Sequence, residues 1–411
     1  MASHTASRPP PERQGFFEGR YGRMLLPGVI LQSVLIGGGY ATGREIVEFG
    51  AKYGALGWLA GLGIFVGFGL MAFLMFETAR RFQAFDYRTL LKKLIGPLYW
   101  TFDIVYILLA ILIIAIMAAA TGEILNSTLG LNYWVGVLLI TVVVGLLNFF
   151  GESVIERFKS VGTVLLYVGY IIFATLVIMR NWDAIAETFS SGNHSLHPTV
   201  SIWAILWSGV LYVGYNLAVY PAALFTVHRQ TRMRDTAVAG LVSGLLMTIP
   251  WFLTYVALMG FYPRDDIFGA TVPWLEMLGS EGAWVVVVFG IVVGWTLIET
   301  ATGMIYALVA RVDQNLVDVE RPKMSRSWAG GVAVVTLGLS VLLAQVGIID
   351  LVAKGYTAMG YAMIVVFAVP LLVRGTYLMV TKQGRAFTEP TEPGTYERSD
   401  VRADEGELDP V

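Results

Sequence analysis

One carboxylate in this sequence stands where a charge is expensive. Glu299 lies in Trp295-Thr-Leu-Ile-Glu-Thr-Ala-Thr302, near the middle of a long apolar run. It is the only carboxylate the sequence places near the middle of such a run, and a lone ionised group in hydrocarbon carries a heavy desolvation cost. The side chain must therefore face a cavity, hold a cation or carry a proton, or else be a neutral, hydrogen-bonded structural group. Thr296 and Thr300 are one helical turn apart with Glu299 beside them on nearly the same face. Hard oxygen ligands of this kind suit Na+ or a proton.

A second chemical feature has no ionised group at its centre. Ile36-Gly-Gly-Gly-Tyr-Ala-Thr-Gly-Arg-Glu45 interrupts an apolar segment from Met24 to Phe49 that is long enough to cross a bilayer. Each glycine inside a helix costs up to ~1 kcal/mol against alanine. Unwound backbone at membrane depth is tolerated only where it lines a cavity or is buried in protein. Two half-helices meeting there would point bare N–H groups into the gap, an anion-binding arrangement that needs no charged side chain. Gly37, Gly38, Gly39, Tyr40 and Thr42 are thus candidate substrate contacts. Thr42-Gly-Arg-Glu45 also has capping-box spacing, with Thr42 as N-cap and Glu45 reaching back. Arg44 and Glu48, on the outer half-helix, are candidates for an outer gate or vestibule.

A later apolar run, 200–228, contains a second interruption at Tyr212-Val-Gly-Tyr-Asn-Leu-Ala-Val-Tyr-Pro221. Pro221 suits the first turn of a restarted half-helix, where its missing N–H costs nothing. Asn216 places an amide at mid-membrane depth, and Tyr212, Gly214 and Tyr215 complete a second set of candidate substrate contacts. Interrupted helices at matching positions of two halves point to a transporter's binding site; the plainer reading of such glycines is helix packing or kinking. His194 and His197 are three residues apart with no third ligand in view, and read as loop histidines. The sequence has no zinc-protease motif, phosphate loop or nucleophile elbow, so it offers no constellation for an enzyme.

The elements that must position these residues are membrane spans. The chain has 411 residues, of which 56% are hydrophobic and 14% charged. A soluble protein of this size carries about 25% charged residues. There is no cysteine, hence no disulfide or thiolate metal site, and no basic run that would indicate nucleic acid. The first 23 residues are polar and lack the apolar core of a signal peptide.

Apolar runs place ten spans near 24–49, 56–82, 98–125, 133–150, 154–180, 200–228, 233–262, 282–311, 328–346 and 348–374. The all-α chain then divides into an N-terminal tail (1–23), a first five-helix unit (24–180), an outer loop (181–199), a second five-helix unit (200–374) and a tail (375–411), disordered by its acidic, Pro-containing composition. Of the 28 basic residues, only Lys52, Arg180, Arg264 and Lys354 fall on one side, and Arg44 lies within a span; the rest fall on the side of the termini. That bias makes both termini cytoplasmic.

Spans six to ten read as an inverted repeat of spans one to five. Both breaks fall in the first span of their unit. Gly57, Gly61, Gly63 and Gly67 of span two correspond to Gly240 and Gly244 of span seven, and Lys159 and Lys354 stand near the starts of spans five and ten.

On Gly37-Gly-Gly-Tyr-Ala-Thr-Gly-Arg-Glu45 and Leu211-Tyr-Val-Gly-Tyr-Asn216, the sequence resembles the amino-acid/polyamine/organocation transporter superfamily, with its five-plus-five inverted repeat, and within it the YkvI-type bacterial membrane proteins. Their first span carries a Gly-x-Gly-Phe-Ala-Ser-Gly-Gln-Glu pattern, from which Tyr40, Thr42 and Arg44 depart. The resemblance implies a sodium site shared by the first and eighth spans, here Ile36, Gly38, Glu299 and Thr300. It also implies a role for Lys159, since some proton-coupled members place a span-five lysine where others bind sodium.

The expected function is secondary transport of a small organic solute, an amino acid or related zwitterion, coupled to Na+ or H+, in a bacterial inner membrane; no other cofactor is implied. The rival is a transporter-fold sensor that binds a ligand without moving it. Orientation is checked directly in this cysteine-free chain. Ser191→Cys should react with an impermeant maleimide from outside and Ser325→Cys only from inside, and the reverse pattern would overturn the assignment.

Overall fold

A computed structural model describes residues 19–35, 37–150, 167–279, 282–318 and 321–381, and all regular structure among them is helical. Most of both tails (1–18 and 382–411), with the disorder expected of the second, and Ile36 and Lys159 lie outside the described residues. Among the described residues seven helices are long and apolar enough to cross a membrane, or eight if Tyr167–Arg180 and Trp182–Ser190, bent by 71° at their junction, are one span. Tyr133–Phe149 is a shorter apolar helix in the position of span four, and the broken first span supplies the remainder.

The first span begins as the helix Arg20–Leu35. After the break come the single-turn helix Gly38–Thr42 and the helix Arg44–Phe49, joined at Gly43, whose φ of +81° lies in the left-handed region that favours glycine. A 3-10 segment, Ala51–Gly57, leads into span two, Trp58–Phe82. A short helix, Tyr87–Ile95, then runs to span three, Trp100–Leu129; Asp86 caps it by accepting the Thr89 N–H at 2.9 Å. Spans nine and ten are separated by a turn at Gly347, whose φ of +89° reverses the chain in the few residues available. The short connection at Val346–Asp350 is thus enough to divide two spans.

The spans sort into two packed groups. Spans one, two, six and seven pack on one another, spans three, four, eight and nine form the second group, and span ten lies against span six. Small residues set the first group's closeness, as expected where lipid supplies no hydrophobic drive between helices. A Cβ on Gly240 would sit 2.8 Å from the Phe73 backbone nitrogen, and one on Gly244 would sit 2.9 Å from the Gly69 Cα. Gly61 faces Trp251 and Phe252 of span seven, whereas Gly67 faces Val213 of span six. The glycine stripe of span two therefore serves two neighbours at once.

At the N-terminal end of this group a buried ionic cluster fixes the register. The Glu77 carboxylate accepts from Arg80 at 2.7 and 2.9 Å, from Arg81 at 2.6 Å and from the Thr236 hydroxyl at 2.8 Å. Arg80 also donates to the Thr231 carbonyl and Arg81 to that of Met379, so spans two, seven and ten share one network. Every oxygen of Glu77 is satisfied, the condition under which a buried ion is tolerated.

Gly240→Leu should overpack the span two–seven contact. A cost of about 1–3 kcal/mol is expected for such crowding, read as a lower midpoint of thermal unfolding in detergent than for Leu241→Ala on the exposed face.

Candidate functional site

The broken first span packs against the 3-10 segment of span six, and what lies between them and span eight is open space. A cavity of about 740 Å³ is lined at its deep end by Ser33, Val34 and Gly37 of the first span, Ala218, Val219, Pro221 and Ala222 of the sixth, and Thr296, Glu299 and Thr300 of the eighth. It runs along span eight through Gly303 and Ala307 to Arg311 and Gln314, at the end of the molecule that carries the N-terminus. Ser33 and Val34 are exposed although they sit deep in their span. The cavity is thus open toward the N-terminal face.

Gly37 is there because nothing larger fits. A Cβ at this position would lie 2.8 Å from the Thr300 hydroxyl oxygen and 3.0 Å from its methyl group. The first break is pressed directly onto the residues that sequence reasoning grouped as hard oxygen ligands. Thr296 differs from its neighbours: its hydroxyl donates to the Val292 carbonyl at 3.0 Å, and the side chain is buried. Glu299 and Thr300 face the cavity with Gly37, an oxygen-rich corner suited to an ammonium group or a hard cation.

Beyond the break, away from the cavity, the molecule is filled. Tyr40 packs edge-on against Tyr170 (ring centroids 6.3 Å apart), and Tyr170 packs likewise on Trp274 at 5.6 Å. Tyr212 and Tyr215 meet Phe49 and each other at 5.5–5.8 Å. Arg44 closes the rim by donating to the carbonyl oxygens of Phe268 and Ala270, at 2.6 and 3.2 Å. Glu48 lies 3.7 Å from Arg44 and 2.5 Å from Lys52. One side of the break is open and the other is sealed by aromatic rings.

Several expectations are corrected by this geometry. The capping box does not form: Gly43 is the N-cap of Arg44–Phe49, and the Arg44 N–H reaches the Thr42 hydroxyl at 3.3 Å. Glu45 instead accepts the Tyr215 hydroxyl at 2.7 Å, across to span six, because the left-handed turn at Gly43 swings it away from the preceding amides. Span six does not unwind at Tyr212–Pro221 as expected: it stays α-helical through Asn216 and continues as a 3-10 helix over Leu217–Arg229, with Pro221 inside the tightened segment. The Asn216 amide donates to the Tyr212 carbonyl at 2.8 Å, within its own helix. Gly214 is a packing glycine, since a Cβ there would meet the Gly360 carbonyl of span ten at 2.9 Å.

Of the predicted substrate contacts, the cavity takes Gly37. Tyr40, Thr42, Tyr212, Tyr215 and Asn216 lie in the sealed region, and Gly38 and Gly39 open the single-turn helix beside the break. His194 bonds its ring Nδ1 to the Gly192 carbonyl oxygen, and His197 packs on Tyr53.

A basic group at the cavity mouth was missed. Arg311 pairs with Asp103 at 2.8 Å, and its guanidinium carbon lies 3.7 Å from the centre of the Tyr106 ring and 4.3 Å from that of Tyr87. Planar guanidinium against aromatic faces is a favourable arrangement. Its sequence signal was weak, because Arg311 reads as one more residue of the positive-inside set and its partners come from span three and the short helix before it.

These features define a class. The architecture is the LeuT-like transporter fold: MhsT in complex with L-phenylalanine superposes with a TM-score of 0.57 at 16% identity, covering 87% of this chain and 88% of that one. A substrate-bound, Na+-coupled sialic acid symporter gives 0.52 at 10% identity over 87% of each chain. A manganese transporter of Eremococcus coleocola gives 0.50 at 12%, over 92% and 90% respectively. These neighbours are transporters and not enzymes. In sequence, the chain is related to the uncharacterised membrane protein YkvI of Bacillus subtilis (strain 168), with 24% identity over 291 residues, or 69% of this chain and 79% of that protein. No family model matches the chain.

The contact of Gly37 with Thr300 is open to a double-mutant cycle. Gly37→Ala alone should lower thermal stability, and Thr300→Ala added to it should restore much of the loss, because the clashing atoms are gone. Strict additivity of the two changes would show that the residues do not touch.

Proposed function

We propose that the protein is a secondary active transporter that moves a small organic solute, an amino acid or related zwitterion, across a bacterial inner membrane by alternating access coupled to Na+ or H+. The observation that carries this reading is the one-sided cavity. It begins where the broken first span and the 3-10 segment of span six meet a carboxylate and a threonine, opens toward one face, and is closed toward the other by packed rings. With the N-terminus cytoplasmic, as the basic residues indicate, this is an inward-open arrangement.

The chemistry follows from what lines the deep end. Glu299 and Thr300, with backbone carbonyls near Gly37, provide oxygens for a positive centre, either the solute's ammonium group or a coupling cation. Backbone amides beside the break would receive the carboxylate end. The MhsT neighbour holds L-phenylalanine and the sialic acid symporter is Na+-coupled, and both precedents favour a zwitterionic or carboxylated solute with a cation. Binding of a cation beside Glu299 would bias the two access states only to the extent that it binds one of them more tightly.

Two measurements test this. A thermal-shift screen against amino acids and organic cations, with and without Na+, should find a solute that raises the melting midpoint. In proteoliposomes Glu299→Gln should lose gradient-driven accumulation of that solute while keeping its binding or exchange. Unaltered accumulation under both a sodium and a proton gradient would make Glu299 a structural hydrogen-bonder.

A further inference from the structure

Glu45 lies outside the cavity, and the function proposed above makes no use of it. It sits on Arg44–Phe49, a half-helix hinged at the left-handed Gly43, and is 5% exposed. Its Oε2 accepts the Tyr215 hydroxyl at 2.7 Å, and Tyr356 of span ten interacts with the same carboxyl group. The rings of Tyr215 and Tyr356 stack over it, with centroids 4.3 Å apart.

The neighbouring charges are all engaged elsewhere. Arg44 turns to the Phe268 and Ala270 carbonyls and to Glu48, and Lys52 holds Glu48. Lys354 of span ten is exposed and pairs with Asp350. Span six presents Tyr212 and Tyr215, the single-turn helix presents Tyr40, and span seven packs here through Trp251 and Tyr255, its charged residues Arg234 and Asp235 lying at its opposite end. Among the described residues only phenols face this carboxyl group.

An ionised carboxylate with no cation, away from water, is strongly disfavoured, whereas the neutral acid is easily accommodated. We infer that Glu45 is a proton-binding site that latches the outer side shut: it carries a proton while Tyr215 and Tyr356 cover it, and releases that proton to outside water when the half-helix swings away. The inference rests on the alternating-access reading. Because Glu45 does not line the inward cavity, the proton returns to the side it came from. It therefore sets which way the protein faces and does not drive the solute.

The sign follows from linkage. The outer-closed state binds one proton more than the outer-open state, so acid outside favours closure and rising pH empties the closed state.

The chain lacks cysteine, so nitroxides at Leu131→Cys and Thr199→Cys report the distance between the outer ends of spans three and six. Pulsed EPR of the full chain across pH should show a short-distance population that grows as pH falls, and Glu45→Gln should hold the short distance at every pH. In the infrared, wild type should show the C=O stretch of a protonated carboxylic acid that Glu45→Gln lacks. Populations independent of pH, a pH response that survives Glu45→Gln, or absence of that band would each overturn the latch. Solute uptake is measured in parallel. A titrating distance without uptake would retire the transporter reading and keep the latch, and uptake with pH-independent distances would retire the latch alone.

Discussion

In hydrocarbon a backbone N–H or C=O that leaves its helix must find a partner inside the protein, and the first span leaves its helix twice within ten residues. The layout around it follows from that obligation. Gly37 is pressed on Thr300 of span eight, Gly43 on Trp274 of the outer helix Pro273–Gly279, and Gly50 on Trp251 of span seven. A segment that cannot face lipid is packed in by protein except where it lines the cavity. The enclosure is what brings an otherwise remote carboxylate to the break.

Enclosure also divides the molecule. Spans one, two, six and seven pack as one group through glycines that admit backbone contact, and span eight belongs to the other group. The cavity lies along the seam, and because the two groups meet through side chains, the seam is the natural place for relative motion. The sealed side is held by ring contacts and a few hydrogen bonds, such as that from the Tyr170 hydroxyl of span five to the Pro250 carbonyl of span seven at 3.2 Å. Contacts of this kind can be exchanged for water one by one, unlike the Glu77 network, which leaves no oxygen unpaired.

Four acidic side chains within this membrane domain show how differently the charge problem is solved. Glu77 is neutralised by two arginines, and Asp103 by Arg311 beneath aromatic faces. Glu299 opens onto the cavity. Glu45 is covered by phenols. The first two solutions are static, since breaking either would strand a buried ion. The last two stand beside the segment that is least regular.

Much of the architecture was legible in the sequence, because the bilayer imposes it. Twenty apolar residues in a row have one use, four glycines in seven positions cannot continue a helix comfortably, and a mid-span Glu299 must face something polar. Span positions and the first break follow from those rules, whereas the meeting of the first span with Glu299 and Thr300 was implied by the family resemblance. The partner of Glu45 did not, for capping-box spacing is a local signal and the left-handed Gly43 overrode it with a bond to Tyr215, 170 positions away. The contacts of Gly214 with span ten and of Asn216 within its own helix were equally hidden, since a glycine or an amide carries no sign of the face it presents. The Arg311 group at the mouth was hidden for the same reason: a charge at a span end is common, and only the packing of three separate elements places two rings and a carboxylate around it. Local pattern decides where the chain must break; which atoms meet across the break depends on helix rotation and register, and those are set by tertiary packing.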